Sequence, residues 1–215
     1  MHILTEQSPR RLARRLDRVE RRLIRAGAGR VLLPRDFPWR EKLTRLRPVD
    51  PLGVYRAAAE VLVLAGLERL GVEPRRGRVA LAGPRLCPEL CQAAWRLAPR
   101  VRTLLIRVPG EEGAAFARRL HREWGLPAAP PSGGAEVEAA FGPGGAGESR
   151  LSLALYGEQP RLAGLELRVR GMELPEPWAP GLLSLLWEQG AVRREELYAL
   201  SPGMSGGRET DTTDA

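Results

Sequence analysis

The sequence contains few of the residues that build metal sites and disulfide frameworks. It has two cysteines, Cys87 and Cys91, and two histidines, His2 and His121. Cysteines four residues apart match neither a zinc motif nor a disulfide framework, and further Cys or His ligands do not lie nearby. We therefore expect no metal site.

The two cysteines have two interpretations. A spacing of four on a helix places Cys87 and Cys91 on one face, where they pack as small apolar side chains. Alternatively, Cys87 precedes Pro88 at a predicted helix start, where the helix dipole would lower the pKa of its thiol and make it reactive. The sequence favours the first interpretation.

The sequence also lacks a long apolar run. A membrane-spanning helix needs ~20 apolar residues, and no stretch of the 215 residues approaches that length. The first residues, MHILTEQSPRR, do not show the basic and then apolar order of a secretory signal. We expect a cytoplasmic protein that has no membrane partner and is large enough to bury a core.

Acidic residues are scarce in the first quarter of the chain. Residues 1–50 hold 14 basic and 6 acidic residues, whereas residues 51–215 hold 20 of each. The whole formal charge of +8 therefore belongs to the first segment. Lys42 is the only lysine, a preference for arginine that is typical of a bacterial genome rich in G and C. Codon usage does not explain why the excess charge is confined to one segment.

An arginine-rich helix is predicted over residues 8–26. Ser8 can cap it, Pro9 suits its first turn and Gly27 ends it. Its apolar residues recur at helical spacing and form one stripe, Leu12, Leu16, Val19 and Leu23. The candidates for binding nucleic acid or an acidic partner are Arg11, Arg14, Arg15, Arg18 and Arg22. A solvated charged face is the alternative interpretation.

Residues 78–124 alternate between strand and helix patterns. Apolar runs predict strands at 78–82 and 101–108, and the segments after them predict helices at 88–98 and 111–124. Nearly continuous apolar strands joined by helices are typical of a parallel sheet that is covered on both faces. We therefore predict a three-layer α/β fold with a mainly parallel, Rossmann-like sheet.

The flanking segments complete the predicted architecture. On the N-terminal side we expect strands at 2–5 and 30–33 and a deeply packed helix from Asp50 to about residue 71. On the C-terminal side we expect a strand at 136–142, a β-hairpin and short helices. The hairpin strands are predicted at 150–158 and 162–170, and the short helices at 181–190 and 193–200.

Three regions follow from these patterns. Residues 1–50 form a basic segment of helix and strand that packs on the core. Residues 51–200 form the Rossmann-like α/β domain. Residues 201–215 are polar and small, which is typical of a disordered tail.

The stretch GPGGAG at 142–147 fits the phosphate-binding pattern G-x-G-x-x-G. That pattern functions when a helix follows it, because the first turn of the helix supplies free N–H groups. Here Leu151, Leu153 and Leu155 recur at every second position, which predicts a strand. Pro143 also removes one N–H from the loop. We therefore interpret the stretch as a turn between strands.

Residues 77–120, GRVALAGPRLCPELCQAAWRLAPRVRTLLIRVPGEEGAAFARRL, resemble the strand–helix–strand core of Rossmann-type domains. The resemblance covers roughly residues 77–125 and is to the shikimate dehydrogenase and glutamyl-tRNA reductase families. It implies a small ligand at the carboxyl ends of the strands, near Gly83, Arg85 and Arg107. Gly83 alone matches the glycine-rich turn of those families, and the acid that would bind the ribose of NAD is missing.

Arg107 has two interpretations. The resemblance implies a contact with the 2′-phosphate of NADP, because members that use NADP carry an arginine near the end of the second strand. The residue type alone favours the solvated end of a strand.

No nucleophile, base and acid can be assembled from the sequence. His121 falls inside the predicted helix 111–124, and Asp36 suits a capping role in its loop. Trp39 and Trp178 flank loops and either line a groove or anchor the core. Whether the protein is an enzyme is left open.

The sequence is consistent with three functions. The first is a non-catalytic structural, regulatory or small-ligand-binding module. The second is binding of nucleic acid or an acidic partner through the N-terminal helix. The third is an NAD(P)-dependent oxidoreductase, against which the missing glycines argue.

Overall fold

The computed structural model of the chain describes residues 9–33, 37, 40–127, 132–144, 147–175 and 179–201. The predicted strand at 2–5, the cap Ser8, Asp36, Trp39, Trp178 and the tail from 202 onward lie outside these residues. The helices are α1 (Pro9–Arg25), α2 (Gly53–Ala57), α3 (Ala59–Arg69), α4 (Pro88–Leu97), α5 (Gly110–Trp124) and α6 (Ala179–Glu188). The strands are β1 (Arg30–Val31), β2 (Arg47–Pro48), β3 (Arg78–Ala82), β4 (Thr103–Arg107), β5 (Ala135–Ala140), β6 (Ser149–Ala154), β7 (Glu166–Val169) and β8 (Leu197–Leu200).

A four-stranded parallel sheet forms the centre of the fold. Its order is β4-β3-β5-β6, and every neighbouring pair is parallel. Val79 of β3 lies opposite Leu104 on one side and Val137 on the other. The prediction of parallel strands at 78–82 and 101–108 is confirmed, as is the three-layer, Rossmann-like α/β class.

The two faces of the sheet differ in what they bury. One face contributes Val79, Leu81 and Ile106 to a large core that also holds apolar residues of α3 and α4. Gly66 lets α3 approach closely, because a Cβ there would lie 3.2 Å from the methyl groups of Val137. The second buried apolar cluster is small and consists of Ala80, Leu105 and Ala135.

The C-terminal strands pair differently from the prediction. The segment predicted at 150–158 forms β6, which joins the sheet parallel to β5, because Leu151 and Leu153 continue the core beside Val137. The antiparallel pair of the C-terminal hairpin is instead β7 with β8, and α6 lies in the connection between these strands. The predicted helix at 193–200 is therefore wrong beyond a single 3-10 turn, Arg194–Glu196.

The predicted helix after Asp50 is divided in two. Ala58 leaves helical geometry at φ −91° and ψ 10°, which separates α2 from α3. The Asp50 carboxylate accepts the N–H of Leu52 at 2.9 Å in the turn before α2, whose N-cap is Leu52 rather than the predicted Asp50. None of the described helices is long and apolar enough to cross a bilayer. The cytoplasmic location stays a prediction.

A buried carboxylate on α3 ties the C-terminal hairpin to the core. Glu60 is 6% exposed and receives two guanidinium groups. Arg100, which follows α4, donates to it at 2.5 Å, and Arg194, which precedes β8, donates to its other oxygen. The carboxylate therefore joins three segments that are distant in sequence.

The basic N-terminal segment reaches the rest of the fold through α6. The side chain of Arg30 forms an ion pair with Glu188 at 3.0 Å, and the same carboxylate accepts the N–H of Asp50. Gly181 of α6 lies directly against the methyl groups of Leu32, which a Cβ there would displace. The predicted domain boundaries at 50 and 200 stay a prediction.

Candidate functional site

The backbone at the carboxyl end of β3 is already hydrogen-bonded. The N–H of Gly83 donates to the carbonyl of Arg107 at 3.1 Å, which extends the pairing of β3 with β4 by one residue. Arg85 is exposed beyond this point. A Cβ at Gly83 would lie 3.3 Å from the Arg85 carbonyl, so the turn is closely packed. The amide that would approach a ligand phosphate therefore has a partner within the protein.

Arg107 is buried beneath two loops. Its side chain is 4% exposed and forms an ion pair with Glu138, which is 1% exposed. The guanidinium also donates to the carbonyls of Gly133 at 2.6 Å and Glu148 at 3.3 Å. The interpretation as a solvated strand end is therefore wrong. A phosphate contact stays a prediction, and it would require these protein partners to be displaced.

Each glycine of the pattern in GPGGAG has a structural reason. Gly142 lies against Pro84, whose Cδ would be 2.5 Å from a Cβ, and Gly144 has a φ of +85°. Gly147 lies against the guanidinium of Arg107 with no room for a side chain. Its N–H donates to Glu138 at 3.1 Å. The loop thus binds an internal carboxylate, and the predicted strand after it, β6, is present.

Acidic residues occupy the helix starts beside the sheet. Glu89 lies in the first turn of α4, and Glu111 and Glu112 lie in the first turn of α5. Their carboxylates compensate the positive ends of the helix dipoles. The same charges oppose the binding of a phosphate at these two positions.

The reactive-thiol interpretation of Cys87 is wrong. Burial raises the pKa of the Cys87 thiol, and the nearby Glu89 carboxylate raises it further. Burial also raises the pKa of Cys91. Both side chains are half-buried rather than fully buried, and Cys87 lies at the N-cap of α4 in extended geometry, so the two thiols do not share one helix face.

An open groove lies at the opposite end of the sheet. Its volume is about 770 Å³, and it runs between α3 and β8, with Arg170 after β7 at its wall. Arg100 and Pro74, which line it, precede the first residues of β4 and β3. The groove is therefore distant from Gly83, where the resemblance places a ligand. The Nδ1 of His121 hydrogen-bonds to the Leu126 carbonyl just beyond the end of α5.

The inner face of α1 contains a buried carboxylate. Leu12, Leu16 and Glu20 follow one another at a spacing of four, and all three are 5% exposed or less. One oxygen of Glu20 accepts three backbone N–H groups, those of Thr44, Arg45 and Leu46, at 3.1, 3.1 and 3.2 Å. These bonds fasten the helix to the segment before β2.

Sequence reasoning missed Glu20 because it followed apolar residues only. It assigned Val19 and Leu23 to the inner stripe, but Val19 is half-buried and Leu23 is 37% exposed. The inner face could have been identified by counting every fourth residue from Leu12, which gives Leu16 and then Glu20.

The outer face of α1 is composed of arginine. At 100° per residue, seven arginines fall within an arc of about 120°, centred opposite Leu16. All seven side chains are exposed. We call this surface the arginine face, and it consists of Arg11, Arg14, Arg15, Arg18, Arg21, Arg22 and Arg25.

One acid interrupts the charge of the arginine face at its edge. Asp17 forms an ion pair with Arg21 and lies 3.6 Å from Arg45. The hydrogen bond from Arg21 lowers the pKa of Asp17, so the carboxylate is charged at neutral pH. Within the described part of the chain, no other arginine of this face forms an ion pair. The five arginines predicted as a binding surface therefore lie together and face solvent.

Comparison of the chain with protein-family models, with curated proteins and with solved structures finds no match. The resemblance to the shikimate dehydrogenase and glutamyl-tRNA reductase families therefore stays a prediction from the residues alone. Among the described residues, no three histidine, cysteine or acidic side chains come together as a possible metal site. What the protein binds is inferred below from its own surface.

Gly147→Ala is expected to lower the free energy of unfolding by about 1–3 kcal/mol, because the added methyl group overlaps the buried guanidinium. Urea denaturation followed by circular dichroism measures the change. Gly134→Ala is the matched control, since a Cβ there meets nothing within 4 Å. Equal losses in the two variants would show that close packing on Arg107 does not explain the glycine.

Both thiols are expected to react slowly with iodoacetamide at neutral pH, since a raised pKa leaves less thiolate than in a free peptide cysteine. The rates should keep rising with pH beyond the point where the peptide reaches its plateau. Mass spectrometry of Cys87→Ser and Cys91→Ser assigns the rate of each remaining thiol. A rate above that of the peptide at neutral pH would contradict the burial of these groups.

Proposed function

We propose that the protein is a binding module for nucleic acid and that the arginine face of α1 contacts the phosphates. One observation carries the proposal: seven exposed arginines share one arc of the helix, while Leu12, Leu16 and Glu20 fasten the opposite side. A guanidinium donates two parallel N–H groups to a phosphate, which suits a surface made of arginine. Such contacts release counterions and supply most of the affinity of sequence-independent binding.

The spacing of the arginines supports a binding role over a solvated face. Charged helices that merely face water commonly pair opposite charges at a spacing of four. Here the pairs at that spacing include Arg11 with Arg15, Arg14 with Arg18, and Arg18 with Arg22. Each like-charged pair costs an isolated helix about 0.2–0.5 kcal/mol. A polyanion on this face removes the repulsion.

The position of α1 also supports a dissolved partner over a lipid surface. Its apolar residues Leu12 and Leu16 are buried, so the helix has no broad apolar face free to enter a lipid surface. The large apolar side chains that are exposed in its described part are Leu23 and Ile24, near its C-terminal end.

The other functions of the sequence analysis remain predictions. A small ligand near Gly83, Arg85 and Arg107 would meet an amide that is already hydrogen-bonded and a guanidinium that is already paired. An NAD(P)-dependent activity would also place phosphates beside Glu89, Glu111 and Glu112. An acidic protein as the partner of α1 is the alternative that the experiments below separate from nucleic acid.

Changing Arg14, Arg18 and Arg22 to glutamate is expected to weaken binding to a labelled DNA duplex by about tenfold or more, because three phosphate contacts become repulsive. The slope of log affinity against log salt should decrease in size by about 3. Fluorescence anisotropy over a salt series measures both quantities.

The matched control changes the same charge elsewhere. Arg75, Arg102 and Arg122 are exposed and lie outside α1. Replacing them with glutamate alters the net charge equally. This control should keep most of the affinity. Equal losses of affinity in the two triple variants would show that net charge alone explains the binding and that α1 has no specific role in it.

Asp17→Asn is expected to strengthen DNA binding by about two- to fivefold, because it removes the negative charge beside Arg21 and Arg45. Glu158→Gln changes the net charge by the same amount at an exposed position away from α1, and it should leave affinity nearly unchanged. The same anisotropy titration measures both variants. Weaker binding by Asp17→Asn would place the contact surface elsewhere.

A further inference from the structure

On the basis of the proposed function, we infer that α1 lies in the major groove of a B-form DNA duplex with its arginine face turned toward the floor of the groove. The observation behind this inference is the arrangement of the arginines as two rows along one helix. The width, length and composition of the arginine face indicate which form of nucleic acid it fits.

The arginines form two rows about a central residue. With 100° per residue, one row contains Arg14, Arg21 and Arg25, and the other contains Arg11, Arg15 and Arg22. Arg18 falls between the rows, almost on the midline of the arc. The rows point outward to either side, so one row faces each phosphate backbone when the helix lies between two strands.

The dimensions of α1 match the major groove. An α-helix with its side chains is about 10–12 Å wide, and the major groove of B-form DNA is about 12 Å wide. From Arg11 to Arg25 the helix extends about 21 Å, which corresponds to about six base pairs at 3.4 Å each. The major groove of A-form RNA is too deep and narrow for side chains to read. The geometry therefore favours a DNA duplex over an RNA duplex.

The composition of the arginine face argues against a single strand. Proteins that bind single strands stack successive bases on aromatic side chains, and the whole of α1 contains no aromatic residue. It also contains no asparagine or glutamine, the side chains that pair with adenine. The remaining contacts are with phosphates and with the guanine edges, whose O6 and N7 atoms accept hydrogen bonds from arginine. We expect recognition of duplex shape with little dependence on base sequence.

Anisotropy titrations with four labelled probes of equal length test the inference: a DNA duplex, an RNA duplex of the same sequence, the single DNA strand and heparin. At equal salt the DNA duplex should bind at least about tenfold more tightly than the RNA duplex or the single strand. Netropsin, which fills the minor groove, should not displace the protein.

Row variants test whether both rows make contact. Arg14→Gln with Arg25→Gln should weaken duplex binding about as much as Arg15→Gln with Arg22→Gln. Arg75→Gln with Arg102→Gln serves as the matched control and should have little effect. All these side chains are exposed. The circular dichroism spectrum and the thermal midpoint of each variant check that it remains folded.

The outcomes separate this inference from the proposed function. Equal affinity for DNA and RNA duplexes, displacement by netropsin, or an effect confined to one row would overturn the groove placement while leaving nucleic-acid binding in place. Tightest binding to heparin, with no preference among nucleic acids, would indicate an acidic partner of another class and overturn both. Absence of binding to every probe at low salt would also overturn both.

Discussion

The buried ion pair between Arg107 and Glu138 holds the side of the sheet that has the smaller apolar cluster. Both side chains are almost fully buried, and removing one partner of such a pair commonly costs about 3–5 kcal/mol. The surrounding backbone completes the pair, since Gly133 and Glu148 provide carbonyl oxygens and Gly147 provides an N–H. Strands β4 and β5, which do not neighbour each other, and the loops before β5 and β6 therefore depend on one charged contact.

Two buried carboxylates, one in the central sheet and one on α1, have the same structural role. Glu138 and Glu20 are buried acids that accept backbone N–H groups from loops, Glu138 from the loop after its own strand and Glu20 from a segment 24 to 26 residues away. At Glu20 these bonds fasten α1 in a fixed rotation about its own axis. The inward carboxylate thus determines which side of the helix faces solvent, and the arginines occupy that side. The buried carboxylate and the exposed arginines therefore lie on opposite faces of one helix.

The elements within 78–124 could be predicted because local patterns define them. Strand β3 is an apolar run between Gly77 and Gly83, and Pro88 marks the start of α4. The pairing of β6 could not be predicted in this way, since the same alternation of leucines suits a hairpin or a parallel neighbour. Tertiary packing selects the parallel arrangement, because β6 beside β5 buries Leu151 and Leu153 in the core.

The site was predictable in its residues but not in its orientation. The arginines of α1 are evident in the sequence, whereas the rotation of the helix depends on Glu20 and on loop amides that no local pattern reveals. The burial of Arg107 was missed for the same reason. Its partner Glu138 lies 31 residues away in sequence, on a strand that is not its neighbour.

The carboxylate of Glu60 has a consequence for the smallest unit that can fold. Because Arg194 donates to it from beyond α6, a polypeptide cut after the parallel sheet would leave a buried acid with one of its two guanidinium partners missing. The final strand β8 also covers α3 with Leu197. The C-terminal hairpin therefore supplies both a charge partner and an apolar side chain to the core of the domain.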